Sequence, residues 1–223
     1  MTFTICDEPQ RSEGWFAARL GRVTGSRAGD VLATIKSGEA AARRDYRTQL
    51  VVERLTNTLQ EDVFINKEMQ RGIDCEPLAR AAYESLTGDL VRATGFLAHD
   101  ELPIGCSLDG DVNNFEGILE LKCPKSATHL KYLKAKGAPA EHLAQITHNL
   151  YVTGAAWCDF VSWDDRFPAS LQVFMKRVHR NDVDIPAYDA AVRKFLAEVE
   201  TEVAALRTLS DLPRVLAEAA GVA

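Results

Sequence analysis

Residues 105–124 read GCSLDGDVNNFEGILELKCP. Asp109 stands in the first half, and the second half is an apolar strand that carries Glu120 and Lys122 two positions apart. Side chains alternate faces along a strand, so Glu120 and Lys122 point one way and Leu119, Leu121 and Cys123 point the other way, into a core. Two carboxylates and a lysine gathered on one spot suit a magnesium-dependent phosphodiesterase. The carboxylates hold a hard cation through oxygen, and the lysine stabilises charge or orients the attacking water. The competing reading is the exposed polar face of a hairpin, which these three residues alone do not exclude.

Around this stretch the pattern predicts helices and strands in succession. Ser12 caps a short helix that carries Trp15, Phe16 and Leu20. A second short helix runs from Gly25 to Ala33, and a long one from Ala40 to Leu59. Lys67 to Thr87 is a further helix, interrupted near Gly72 and Pro77 and stopped by Gly88. Strands are expected at 90–98, 104–112, 117–123, 158–164 and 171–178, and helices at 126–136 and 139–153. Ile185 to Leu206 forms a long C-terminal helix, with a short one at 211–220. Helices before and after hairpin-connected strands give an α/β (α+β) domain.

At 223 residues the chain can bury one large core. Hydrophobic content of 46 % and charged content of 26 % are those of a globular protein. No apolar run reaches the ~20 residues of a membrane span, and the N-terminus has no apolar signal core. Five scattered cysteines with no C-x-x-C fit a reducing cytoplasm and exclude the usual zinc spacings. The net charge of −6 excludes a uniformly basic surface. It leaves open a local basic groove, which is where DNA affinity originates.

Five blocks occur in order: W-F-x-x-R-L-G-R-V-T-G-S at 15–26, R-G-I-D-C-E at 71–76, G-C-S-L-D-G at 105–110, L-E-L-K-C-P at 119–124 and H-L-A-Q at 142–145. Together they resemble the lambda-type phage exonucleases, the YqaJ-like viral recombinase family of RecB-like nucleases. The resemblance covers roughly residues 12–180. It implies a restriction-endonuclease-like core, a central mixed β-sheet flanked by helices. Residues 1–223 then form a single nuclease domain, with a C-terminal helical segment at about 185–220.

By the same resemblance Asp109, Glu120 and Lys122 are the nuclease triad. Asp109, Glu120 and the Leu121 carbonyl, joined by Glu76, would hold two Mg²⁺ ions, with Mn²⁺ accepting the same ligands. Glu76 has the alternative of a solvated helix carboxylate. Gln145 matches a glutamine that reaches the phosphate or the attacking water. His142, one turn earlier, stands where the family has a tyrosine, and either bonds a phosphate or is a surface histidine. Arg19, Ser26 and Ser107 match the block that binds a terminal 5′-phosphate, although Ser26 is equally a helix N-cap. Thr128 stands in place of the family's arginine, leaving Lys125 or Lys131 to supply charge. Arg43, Arg44 and Arg47 either track DNA or are solvated. Trp15, Trp157 and Trp163 read as core, and His129 and His148 as packing or surface residues.

The implied activity is Mg²⁺-dependent 5′→3′ digestion of linear double-stranded DNA. It releases 5′-mononucleotides and leaves 3′ single strands for recombination. Family members form homotrimeric rings and work with a single-strand annealing protein. The implied setting is a phage or prophage protein in a bacterial cytoplasm. The rival readings are an endonuclease or single-strand nuclease of the same fold, and a non-catalytic DNA-end binder.

Overall fold

The computed structural model describes residues 3–60, 66–135 and 137–219, the stretch 210–219 as backbone only. Expected helix ends at 136 and 220 lie outside the described residues. The fold is mixed α/β, as the sequence implies, but the strands form two sheets and not one. The first holds β1 (Phe3–Cys6), β2 (Val23–Thr24), β4 (Phe96–His99) and β5 (Ile104–Ser107), in the order β1-β4-β5-β2. The second holds β3 (Val91–Arg92), β6 (Gly110–Val112), β7 (Gly117–Lys122), β8 (Trp157–Trp163) and β9 (Val173–His179), in the order β3-β6-β7-β8-β9. Both are mixed, because β2 runs parallel to β5 and β7 parallel to β8.

The division runs through two of the predicted strands. The expected 90–98 strand divides into β3 and β4, which pair with different partners. The expected 104–112 strand divides into β5 and β6, one in each sheet. Leu108 and Asp109 are the two residues between them. The parallel pair β7–β8 lies at the centre, and every residue of β8 is buried. Such continuous burial is what a strand covered on both faces requires.

The helices are α1 (Glu13–Arg19), α2 (Ala28–Val31), α3 (Ala41–Thr56), α4 (Lys67–Thr87), α5 (Ser126–Lys134), α6 (Ala140–Thr153) and α7 (Ile185–Ala219). Ser12 caps α1 by accepting the Trp15 N–H at 3.2 Å. Gly25–Arg27, expected to begin an α-helix, is a 3₁₀ turn leading into α2. The α4 helix runs on through Gly72 and Pro77. Pro77 lies on its exposed face, where water can replace the missing backbone bond. Cys75, Ala79 and Tyr83, spaced four apart, anchor the buried face. The two expected C-terminal helices are one. Tyr188, Val192, Phe195, Val199 and Val203 make its buried stripe against α3 and α6. No described helix is long and apolar enough to cross a membrane.

Polar locks fix the central sheet. Asp159 on β8 is fully buried. It accepts from Arg177 at 2.8 and 2.7 Å and from Tyr83 at 2.8 Å. The Arg177 guanidinium also stacks on Trp157, 3.6 Å from the ring centre. Replacing Arg177 by Leu strands a buried carboxylate, so a loss of about 3–5 kcal/mol is expected in a urea melt. Double replacement with Asp159→Asn should recover much of it.

Arg43 and Arg47 on α3 pair with Glu39, Glu198 and Glu202, so their charge is spent on joining α3 to α7. Trp15, Trp157 and Trp163 are buried, as are His129 and His148. The five cysteines are free thiols.

Candidate active site

The strand β7 holds Glu120 and Lys122 on one face, as alternation requires, and their side chains form an ion pair. Glu120 is almost fully buried, whereas Lys122 retains 31 % side-chain exposure. Asp109 reaches the same place from the bend between the two sheets. Its Oδ2 accepts the Leu121 N–H at 2.6 Å, bridging the seam to β7. Glu76 arrives from α4 beside Arg80, which also donates to the Asp109 carbonyl at 2.8 Å. A cleft of about 450 Å³ is lined by Glu76, Asp109, Leu121, Lys122, Tyr132 and His142, with Gln10 and Arg11 at one side.

The electrostatics follow from burying like charges together. Burial raises Asp109. Burial, and then the Asp109 charge, raise Glu76. Burial lifts Glu120 to about 7, with the pull of Lys122 only partly offsetting it. For Lys122, burial opposes the charge, but Glu120 and Asp109 outweigh it and raise its pKa. Three carboxylates set against Lys122 and Arg80 leave the cluster short of positive charge, which a hard cation would supply.

The donors fit such a cation in chemical type, since all are oxygen. They are not drawn into a finished cage. Among the described residues no three His, Cys, Asp or Glu side chains form a ready ligand cluster. Asp109 is engaged by Leu121, Glu120 by Lys122, and Glu76 by Arg80.

Other candidate residues divide. His142 and Gln145 lie on α6, His142 against the cleft. The imidazole of His142 stacks on Phe160 and shares a 3.0 Å hydrogen bond with Tyr132. Burial, helped by the Lys122 charge, lowers His142 to about 4, so it is neutral at neutral pH. Arg19, Trp15 and Ser107 form one patch: the guanidinium lies 4.2 Å from the Trp15 ring centre, and Trp15 Nε1 donates to Ser107 Oγ at 2.9 Å. Ser26 is exposed on the 3₁₀ turn, which packs on β5 and α6. Lys125 and Lys131 are exposed and pair with Glu68 and Glu141.

The end of β7 is clamped from outside the cleft. Arg71 on α4 donates to Asp165 at 2.6 Å, to Asp164 at 3.3 Å and to the Cys123 carbonyl at 3.4 Å. Arg166 donates to Asp164 and to the Pro124 carbonyl at 3.0 Å. Sequence reasoning passed over Asn149, Arg80 and Tyr132. Arg80 stands four residues after Glu76, and Asn149 four after Gln145, so helical spacing was the available signal.

Comparison with known proteins places the chain in a family. The chain is 41% identical to an alkaline exonuclease, LHK-Exo, from Laribacter hongkongensis, over 90% of this chain and 100% of that one, with a TM-score of 0.80. A structure of LHK-Exo in complex with dAMP matches at 40% identity and a TM-score of 0.81, with the same coverage. A phage-related exonuclease from Haemophilus somnus shares the fold at 14% identity and a TM-score of 0.65, over 85% of this chain and 96% of that one. No curated protein sequence matches. The YqaJ-like viral recombinase domain model matches residues 14–156, which span α1, the bend at Asp109, β7 and α6. The chain belongs to the YqaJ-like viral recombinase domain family.

Proposed function

We propose that the protein is a metal-dependent 5′→3′ exonuclease acting on linear double-stranded DNA. It releases 5′-mononucleotides and leaves 3′ single strands for strand-annealing recombination. The observation that carries this is the gathering of Asp109, Lys122 and Glu76 on one cleft, with the buried Glu120 ion-paired to Lys122 beneath it. The alkaline exonuclease at 41% identity supports the activity, and the dAMP complex of that same LHK-Exo supports a mononucleotide product.

Asp109, Glu120, the Leu121 carbonyl and Glu76 would hold Mg²⁺, two ions per site, or Mn²⁺ through the same oxygens. The bound cations supply charge that polarises the scissile phosphate and acidifies water. Lys122 orients the attacking water or offsets charge growing on the phosphate, and Gln145 bonds the phosphate or that water. Arg19, Ser26 and Ser107, with His142 and Lys125, receive the DNA end and its 5′-phosphate. By family resemblance the protein acts as a homotrimeric ring beside a single-strand annealing protein, inside a phage-infected or lysogenic bacterial cell. Solution mass at assay concentration tests the ring.

Digestion with Mg²⁺ should remove the 5′-phosphorylated strand of linear duplex DNA, act more slowly on a 5′-hydroxyl end, and spare a closed circle. Cutting of the circle would replace the exonuclease with an endonuclease. No cleavage with Mg²⁺ or Mn²⁺ would leave an end-binding protein.

A further inference from the structure

Asn149 is 1 % exposed, on the buried face of α6 between the hydrogen-bonded His148 and the core residue Leu150. Its Nδ2 donates to Glu120 Oε2 at 3.2 Å. Lys122 pairs with the other oxygen, Oε1, so the two carboxylate oxygens are held from two directions. The orientation of the amide follows from chemistry. Turned over, it would set Oδ1 against a carboxylate oxygen, acceptor against acceptor.

Oδ1 itself is buried with no hydrogen-bond partner. It faces Gly25, where an added Cβ would overlap it. A helix-interior asparagine with one end buried and unbonded is costly, and hydrophobic packing would be served better by Leu. Its other end is where the return lies: a fixed N–H donor for an acidic group that must stay oriented and ionisable in a buried place. Gly25 opens the 3₁₀ turn that carries Ser26, so Asn149 touches both the end-recognition segment and the carboxylate on β7.

We propose that Asn149 is a positioning residue that fixes the Glu120 carboxylate for cation binding, with Gly25 providing the space in which its amide sits. The proposal rests on Glu120 being a metal carboxylate, as read above. Donors behind a ligating carboxylate are worth about 10–100-fold in metal affinity.

The test is Mg²⁺ binding by calorimetry on the full chain without DNA, for the wild type, Asn149→Leu, Gly25→Ala and Glu120→Gln, with thermal melts in chelator alongside. Asn149→Leu should bind Mg²⁺ about 10–100-fold more weakly while still melting cooperatively. Gly25→Ala leaves Asn149 in place but displaces its amide, and should weaken binding in the same direction. A purely structural role would lower the melting temperature and leave the metal constant unmoved. Wild-type Mg²⁺ affinity in a folded Asn149→Leu, with weakened binding in Glu120→Gln, would overturn the role of Asn149 and keep that of Glu120. Unchanged binding in Glu120→Gln would overturn the reading of Glu120 and this proposal with it. Should Asn149→Leu not fold, Gly25→Ala decides: wild-type affinity there rejects the proposal.

Discussion

Asp109→Asn is expected to remove DNA cleavage, by about a thousandfold or more, in a protein that still folds. The asparagine has the same shape, and its Oδ1 can still accept the Leu121 N–H that now donates to Asp109 Oδ2 at 2.6 Å. What it lacks is charge. A cation at a phosphoryl centre contributes several kcal/mol to the transition state, and each 1.36 kcal/mol is tenfold in rate. The melting temperature in chelator should not fall, because the substitution relieves a carboxylate that burial already strains. Single-turnover digestion of end-labelled duplex, at saturating Mg²⁺, is the measurement. Cleavage at the wild-type rate would remove Asp109 from the chemistry.

Lys122→Met should cost about 10²–10³-fold in the same assay, the scale of losing one fixed charge aimed at the transition state. It should also change the pH profile. Glu120 sits near 7 because burial outweighs the pull of Lys122, and without the ammonium it must rise further. A cation and a proton compete for that carboxylate. At limiting Mg²⁺, wild-type cleavage should therefore climb as pH rises through about 7, and the midpoint should move upward in Lys122→Met.

The same shift has a sign for stability. A carboxylate whose pKa is higher folded than unfolded holds extra protons in the native state between about 4.5 and 7, so its contribution to stability falls as pH rises through that window. Glu120→Gln cannot titrate. In chelator its melting temperature, relative to wild type, should increase by roughly 5 °C between pH 5 and pH 8. A difference that stays flat across that range would place Glu120 in an ordinary, solvated environment. The comparison with a variant is needed because His142 and His148, both lowered to about 4 mainly by burial, pull the wild-type curve the other way between 4 and 6.5.

Much of the site was legible because it is local. Strand alternation alone put Glu120 and Lys122 on one face, and helical spacing put His142 and Gln145 on one helix. The same twenty-residue stretch, 105–124, carried Asp109, and the sequence blocks supplied Glu76, which no short-range pattern links to β7. The illegible parts are those decided by distant pairing. Nothing within residues 90–112 reveals that β4 will pair with Phe3–Cys6 while β3 pairs with β6. Pro77 looked like a break because propensity is read one residue at a time, whereas the packing of Cys75, Ala79 and Tyr83 is shared over about two turns. Asn149 was hidden for a related reason. Behind Thr147 and His148 it reads as one more polar residue of a helix, and only the third dimension brings Glu120 to it.

The seam between the sheets bears on how such a chain tolerates changes of length. Asp109 hangs on a two-residue span, with β5 registered against β4 before it and β6 against β7 after it. One added residue there would turn the carboxylate away from β7 or slip a whole strand by one step, which exchanges its inner and outer faces. The turn at 113–116 joins β6 to β7 within a single sheet. Extra residues at Asn113 and Asn114 leave both registers unchanged as long as Phe115 keeps its place in the core against Phe3. Lineages that elaborate this scaffold should accumulate insertions in that turn, while the spacing from Ser107 to Gly110 stays constant.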